Sequence, residues 1–290
     1  MTQPQLGTII KANVTDENDN FFFAQLDGFV YEIDKAELVK PLKMGGFVTG
    51  FAYENNQHKL QITKNIPRAQ KDVYGWGSVV AGRHDLGIFV DVGIPNKDIV
   101  ISMDDLPTMT NLWPQKGDRL LLALKEDSKG RLWGELAQQD IIAAVSRRAP
   151  EGLNHKSVKA TVYRNKIAGT LVVTEDYYLG FIHPSQRDDE PRLGEVVNAR
   201  VIAVRDDGSL NLSLKPLAHE TMDEDAKFLL LQLQRRSNHS LPFNDKSDPV
   251  LIKRQLGFSK GQFKRALGRL LKLRVVEQIE GGIKLKNDEQ

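Results

Sequence analysis

Alternation of apolar and polar residues dominates the first three quarters of the chain. Residues 131–136 read Arg-Leu-Trp-Gly-Glu-Leu and residues 210–214 read Leu-Asn-Leu-Ser-Leu, so each stretch alternates over five or six positions. A period of two is typical of a β-strand that buries one of its faces. Residues 59–62, Lys-Leu-Gln-Ile, show the same pattern 72 residues before the first of these stretches. The chain is therefore predicted to contain a repeated β unit.

The repeated unit has the same order of strands each time. Opening strands are predicted at residues 7–10, 77–80 and 157–162, and Gly-led strands at 46–48, 117–120 and 194–197. Clusters of Asn, Asp, Ser or Gly precede each closing strand and predict tight hairpins there. About five strands in some 70 residues favour a small closed barrel, because closure leaves no exposed edge strand. We predict three tandem five-stranded barrels of the OB type, over residues 1–66, 67–140 and 141–216.

The last quarter of the chain changes to helical periodicity. A first helix is predicted from apolar residues on one face, namely Met222, Ala226, Leu229, Leu230 and Leu233. Residues 241–245, Leu-Pro-Phe-Asn-Asp, end that helix. Two more helices are predicted at 249–256 and 260–273, the last with Ser259 as its N-cap. Strands at 275–279 and 283–285 flank a Glu-Gly-Gly turn, so residues 217–290 have the element order of a winged helix-turn-helix.

Charge is unevenly distributed between these two parts. The whole chain has 40 Lys and Arg residues against 38 Asp and Glu, a net charge of +2. Residues 218–290 hold 14 basic and 10 acidic residues, which leaves 26 and 28 for residues 1–217. Within the tail, residues 253–274 carry eight basic residues and no acidic one. A cluster of positive charges without acidic residues, on a turn and the helix that follows it, indicates a site for a polyanion.

Two stretches of the predicted barrels resemble the ribosomal S1-type RNA-binding domain. They are residues 86–93, Leu-Gly-Ile-Phe-Val-Asp-Val-Gly, and residues 180–185, Gly-Phe-Ile-His-Pro-Ser. The resemblance covers roughly residues 1–215 and is weaker in the first barrel, where residues 28–33 are its main counterpart. Three S1-like units followed by a winged helix resemble the conserved virulence factor B family of bacterial RNA-binding proteins. This resemblance implies a mainly β fold with an α+β C-terminal module, RNA as the ligand, and a role in regulating gene expression.

Aromatic residues of the first barrel are candidates for stacking on RNA bases. Phe21, Phe22 and Phe23 are consecutive, and neighbouring strand residues point to opposite faces. Either Phe22 alone or the pair Phe21 and Phe23 can therefore face outward. Tyr31 is a further candidate in this barrel.

The other two barrels offer more candidates. In the second barrel, Phe89 occupies a position where the S1-type family has a surface aromatic, and His84 lies just upstream. The third barrel combines aromatic rings with positive charge, the chemistry that single-stranded RNA requires. Its candidates are Tyr163, Arg164, Lys166, Tyr178, Phe181 and His183, of which the last matches the S1-type histidine. Trp76 and Trp133 are interpreted as packing residues within or between barrels.

The third helix of the tail supplies the second set of candidates. Its polar and basic side chains lie opposite the apolar stripe, and they are Lys260, Gln262, Lys264, Arg265, Arg269 and Lys272. A basic face binds phosphates, which provide affinity but no sequence information. The pattern therefore leaves open whether this helix binds RNA or DNA.

Several functional classes are disfavoured by what the sequence lacks. The chain has no Cys, and its six His residues show none of the spacings typical of a metal site. Phosphate-binding and serine-hydrolase glycine motifs are absent as well. The first residues do not resemble a signal peptide, and no apolar run approaches the roughly 18 residues of a membrane helix. We predict a cytoplasmic protein that is not an enzyme, with no cofactor, no metal and no membrane partner.

The sequence thus favours a regulatory protein that binds single-stranded RNA without catalysis. Stacking tolerates most sequences, so we expect at most a modest preference for pyrimidine-rich or A/U-rich strands. Two alternatives remain open at this point. One is a transcriptional regulator whose winged helix binds duplex DNA, and the other is a protein-interaction scaffold whose barrels bind no nucleic acid. The oligomeric state is not predicted.

Overall fold

Three closed five-stranded β-barrels and a winged helix confirm the predicted fold. The computed structural model describes residues 3–215 and 224–286. It divides into two units, Met1–Leu214 with the barrels and Lys215–Gln290 with the winged helix. The domain boundaries at residues 66, 140 and 216 stay predictions.

The barrels share one topology. Barrel 1 contains β1 (Ile9–Glu17), β2 (Phe21–Leu26), β3 (Phe29–Asp34), β4 (Phe47–Glu54) and β5 (Leu60–Thr63). Barrel 2 contains β6 (Gly75–Arg83), β7 (Gly87–Asp91), β8 (Ile99–Ser102), β9 (Arg119–Glu126) and β10 (Leu132–Leu136). Barrel 3 contains β11 (Ser157–Lys166), β12 (Gly169–Thr174), β13 (Leu179–Ile182), β14 (Val196–Val204) and β15 (Leu210–Ser213). In each barrel the fifth strand lies between the third and the fourth, and it runs parallel to the third.

A bulge in the first strand recurs at the same place in all three barrels. The pairing with the second strand shifts between Val14 and Asp16, between Val79 and Ala81, and between Val162 and Arg164. A β-bulge bends its strand and redirects the side chains beyond it. The residues after the shifts, Asp16, Ala81 and Arg164, therefore occupy equivalent outward-facing positions in the three barrels.

Barrels 2 and 3 are joined by polar and apolar contacts. Arg192 of barrel 3 donates two hydrogen bonds of 3.2 Å to the buried carboxylate of Asp118, next to β9. The Nε1 of Trp76 donates to the hydroxyl of Tyr177 at 3.0 Å, within a cluster of apolar residues from both barrels. This position agrees with the interpretation of Trp76 as a packing residue. Barrels 1 and 2 share one continuous buried cluster, which also includes Leu193.

The C-terminal unit has the predicted order of helices and strands. Its elements are α2 (Glu224–Gln234), β16 (Ser240–Leu241), α3 (Pro249–Leu256), α4 (Lys260–Lys272), β17 (Val276–Ile279) and β18 (Gly282–Leu285). Ala226, Leu229 and Leu233 are buried on α2 as predicted, whereas Met222 lies outside the described residues. Gly257 ends α3 in the left-handed conformation, where a residue without a Cβ is favoured.

Two short elements were not predicted. Helix α1 (Gln139–Val145) links barrels 2 and 3 and buries only Ile142. Strand β16 lies where residues 241–245 were expected only to end the first helix of the tail. It pairs with β18, so the sheet of the wing has three strands. None of the described helices is long and apolar enough to cross a membrane. Residues 3–215 and 224–286 include no group of three or more His, Asp or Glu side chains that could hold a metal ion.

Candidate nucleic-acid interface

An outward-facing row of side chains crosses the first, second, third and fifth strands of each barrel; we call it the outer row. In barrel 2 it consists of Ala81, Phe89, Val100 and Trp133, which are direct cross-strand neighbours. Phe89, Val100 and Trp133 are half-buried, while the residues on either side of them point into the barrel. Strands lie about 4.8 Å apart, so the two aromatic rings are separated by about 10 Å across the surface.

Trp133 is held in place by the turn before its strand. The carboxylate of Asp127 accepts hydrogen bonds from Trp133 Nε1 at 3.1 Å and from Arg131 Nε at 2.8 Å. The backbone N–H groups of Arg131 and Lys129 bind the same carboxylate, and with these side chains they hold the pKa of Asp127 well below its usual range. The guanidinium of Arg131 lies 5.5 Å from the Trp133 ring centroid. Lys125 is the cross-strand neighbour of Trp133. Barrel 2 thus presents two half-buried rings, and Trp133 has two cations beside it, each of which is also paired with carboxylates.

The outer row of barrel 3 combines one ring with a cation. Its members are Arg164, Leu171, Phe181 and Asn211. The ring of Phe181 lies over Gly169, where a Cβ would come within 2.6 Å of the ring carbons. Because position 169 carries no side chain, the ring can lie close against β12. Arg164 is exposed at the end of the row.

His183 stands beside this ring on the exposed side. Its imidazole centroid is 6.4 Å from that of Phe181 in an edge-on arrangement. Its Nδ1 accepts the backbone N–H of Ser185 at 3.2 Å and lies 2.8 Å from the Ser185 hydroxyl. The ring therefore caps a short 3-10 turn, which fixes its orientation and leaves the Nε2 edge as the donor that can reach a ligand.

Barrel 1 has a different outer row, made of Asp16, Phe23, Glu32 and Gln61. Two carboxylates flank its single ring, and Glu32 forms an ion pair with Lys59 at 2.9 Å. Negative charge here opposes an RNA backbone. This row therefore lacks the combination of rings and cations found in the other barrels.

The prediction that Phe22 and Tyr31 stack on bases is wrong. Phe22 is 3% exposed and Tyr31 is fully buried, because both side chains point into barrel 1. The Tyr31 hydroxyl lies 3.4 Å from the backbone oxygen of Gln5, and burial raises the pKa of this phenol. Of the two alternatives for the Phe triplet, the pair Phe21 and Phe23 is the one that faces outward.

The remaining barrel candidates lie at or near the contact between barrels 2 and 3, or on exposed loops. His84 is exposed, with its ring 5.4 Å from that of Trp113. Tyr178 is half-buried against the core of barrel 3. Tyr163 is half-buried between the barrels, and burial raises the pKa of its phenol. Lys166 is exposed and donates to Gln139 of α1 at 2.8 Å.

Helix α4 carries the basic surface of the winged helix. Its apolar stripe of Phe263, Ala266, Leu267 and Leu270 is buried. The exposed cations of the helix are Lys264, Arg265, Arg269 and Lys272, and Lys260 is half-buried at its start. Gln262 is corrected to a structural role, because its side-chain oxygen accepts the Ser259 N–H at 3.0 Å in a capping box.

Sequence reasoning missed the outward position of Trp133. Gly134 follows it, and a Cβ there would come within 2.9 Å of both Leu122 and Ile101 inside the barrel. An inward-facing Gly places the preceding Trp outside, so the alternation of residues 131–136 contained the signal. Lys125 and Val100 had no sequence signal of their own, since only the strand pairing brings them beside this ring. Arg131 precedes Trp133 by two residues, so the period of two already placed it on the same face.

Models of known domains match almost the whole chain. Residues 6–65 match the S1 domain, residues 74–135 the CvfB first S1-like domain, and residues 142–216 the second domain of the virulence regulatory factor CvfB. Residues 227–285 match the CvfB-like winged helix domain. These matches follow the order of the three barrels and the winged helix.

Known proteins are similar over most of their length. A crystal structure from Streptococcus pneumoniae TIGR4, described as a multidomain protein with nucleic acid binding domains, is 44% identical with a TM-score of 0.71, covering 97% of this chain and 98% of that one. YitL of Bacillus subtilis strain 168 is 41% identical over 86% of this chain and 83% of the relative. Conserved virulence factor B of Staphylococcus aureus strain N315 is 37% identical over 84% of this chain and 81% of the relative. Together with the domain matches, this similarity shows that the chain belongs to the conserved virulence factor B family.

Proposed function

We propose that this chain binds single-stranded RNA without catalysing a reaction on it, and that this binding regulates gene expression after transcription. The observation that carries the proposal is the pair of outer rows on barrels 2 and 3, which present three half-buried rings on the same surface as Arg131, Lys125 and Arg164. Bases stack on such rings only when they are unpaired, which favours a single strand over a duplex. The similar Streptococcus pneumoniae protein is described as having nucleic acid binding domains, which supports a nucleic acid as the ligand.

The basic face of α4 adds affinity in this proposal. Lys264, Arg265 and Arg269 lie on a surface without acidic residues between 253 and 274. Phosphate contacts of this kind add to weak stacking sites, because modules on one chain bind a common strand at a high effective concentration. The outer rows then provide the preference for unpaired bases, and α4 provides attraction to the backbone.

Replacing Lys264, Arg265 and Arg269 together by Glu should weaken RNA binding and flatten its salt dependence. Each lost phosphate contact lowers the slope of log K against log salt by roughly 0.7 for a single strand, so a decrease of about 2 is expected. Fluorescence anisotropy with a labelled oligouridine at several salt concentrations measures this slope. The matched control changes Arg235, Arg236 and Lys246 to Glu, which alters net charge equally at three exposed residues outside α4. An unchanged slope in the first variant contradicts the role of α4.

A second candidate function is binding of duplex DNA by the winged helix. It is favoured by α4, a capped helix of 13 residues with an exposed basic face at the position of a recognition helix. The wing adds no net positive charge to this surface, because Glu277 and Glu280 offset Lys284 and Lys286. The barrels would then bind the RNA or protein partner of a DNA-bound regulator.

A further inference from the structure

A pocket of about 280 Å³ lies between barrels 2 and 3, next to the two outer rows. One wall is formed by Tyr163, Arg164 and Asn165 of β11, and another by Gln138 and Gln139 at the start of α1. Residues 105–107, after β8, complete it. Its volume is just below the roughly 300 Å³ at which most ligand pockets begin, so it suits a single planar group.

The pocket is continuous with the surface that would carry a single strand. Arg164 is both a lining residue and the first member of the outer row of barrel 3, two strands from Phe181. Leu136, also in the lining, lies three residues beyond Trp133 on β10, or about 10 Å along the strand. Each outer row therefore has a member within about 10 Å of the pocket lining, measured along or across its strands.

The polar groups of the pocket include both donors and acceptors. The amide oxygens of Gln138 and Gln139 already accept hydrogen bonds from Arg164 at 3.2 Å and from Lys166 at 2.8 Å. Arg164 has five N–H groups in a planar fork and no acceptor. Asp105 is the one carboxylate of the lining, and it shares Lys125 with Glu135, because the Lys125 Nζ lies 3.8 Å from each carboxylate. Arg164 thus supplies donors to the pocket, and the buried Oδ1 of Asn165, which has no hydrogen-bond partner among the described residues, supplies an acceptor.

We propose that this pocket binds one base of the RNA strand and selects guanine, through its O6, or uracil, through its O4. These bases present an acceptor at the position where adenine and cytosine present an amino donor, and an arginine fork pairs with acceptors. The ring of Tyr163 forms an uncharged wall beside the base. The proposal rests on the proposed binding of single-stranded RNA and adds a site of base preference to it.

The test compares three RNA decamers: ten adenosines, the same decamer with one central uridine, and the same decamer with one central guanosine. In the full-length protein, a single uridine or guanosine should tighten binding about fivefold or more, and whichever of the two binds more tightly identifies the preferred base. Arg164→Lys keeps the charge but removes the fork, so the ratio of the affinities for the uridine or guanosine decamer and for the decamer of adenosines should fall to about one, whatever the change in affinity for the decamer of adenosines itself. The matched control is Arg205→Lys, which makes the same change in the hairpin between β14 and β15, at the end of barrel 3 opposite Arg164.

Four outcomes would overturn the proposal. Binding of all decamers with equal affinity contradicts the pocket but not RNA binding, and so does a preference that survives Arg164→Lys. Failure to bind any decamer contradicts the proposed function as well. Photo-crosslinking of a central 4-thiouridine in the unmodified protein provides a measurement that needs no variant. The crosslink is expected on residues 138–139 or 163–165, and crosslinks confined to Phe89, Trp133 and Phe181 contradict the pocket.

Discussion

Replacing Phe89 and Trp133 together by Ala weakens binding of a ten-residue oligouridine by roughly 30-fold or more. Each base stacked on an aromatic side chain contributes about 1–3 kcal/mol, so loss of two rings costs at least about 2 kcal/mol. Both rings are half-buried and lie outside the barrel, so the melting temperature should change little. Anisotropy titration at fixed salt measures the affinity, and thermal unfolding checks the fold.

Barrel 1 provides an internal control for this experiment. Phe23 occupies the same place in its outer row as Phe89 does in barrel 2, but it is flanked by Asp16 and Glu32. Phe23→Ala should therefore change RNA affinity less than about threefold, well below one full stacking contribution. A loss as large as that of the double variant would show that stacking does not depend on the charge of the row.

Removing the Asp118 carboxylate has the largest expected effect on stability. Its side chain is 9% exposed, and it holds Arg192 of the neighbouring barrel as well as the backbone N–H of Gln115 at 2.7 Å. Removing one partner of a buried ion pair costs about 3–5 kcal/mol. Arg192 keeps a second partner in Glu195 at 3.3 Å, so Asp118→Ala should cost about 3 kcal/mol, at the lower end of that range.

A loss of about 3 kcal/mol in the free energy of unfolding lowers the melting temperature of a unit as long as the three barrels by roughly 10 °C. Calorimetry measures this shift. The control is Asp85→Ala, since Asp85 pairs with Arg83 on the surface, where both side chains are more than half exposed. Exposed pairs contribute little, so this variant should melt like the unmodified protein. Equal melting temperatures for the two variants would show that Asp118 does not help to join barrels 2 and 3.

Much of the fold could be predicted because local pattern and tertiary structure agree. Alternation in residues 131–136 and 210–214 predicted the closing strands, and helical spacing with caps predicted α3 and α4. Helix α1 and strand β16 could not be predicted in this way. The first buries a single side chain and the second has two residues, so both depend on packing against distant parts of the chain.

The candidate site was less predictable than the fold, because the pairing register of a strand decides which of its side chains point into the barrel and which point out. A period of two separates Phe22 from Phe21 and Phe23 but does not show which set is inside. The bulge at Asp16 and the pairing with β3 place Phe22 in the core. Trp133 and Lys125 are separated along the chain and become neighbours only through pairing of β9 with β10. Candidates chosen by residue type alone therefore included core residues and omitted part of the surface.

Competition between nucleic acids tests the central claim most directly. Full-length protein bound to a labelled single-stranded RNA is titrated with unlabelled single-stranded RNA, single-stranded DNA of the same sequence, and duplex DNA at about 150 mM salt, since affinities depend on salt. Single-stranded RNA should compete best, and duplex DNA should need at least about tenfold more because its bases are unavailable for stacking. Duplex DNA as the strongest competitor would contradict the account and favour the winged helix as a DNA-binding module.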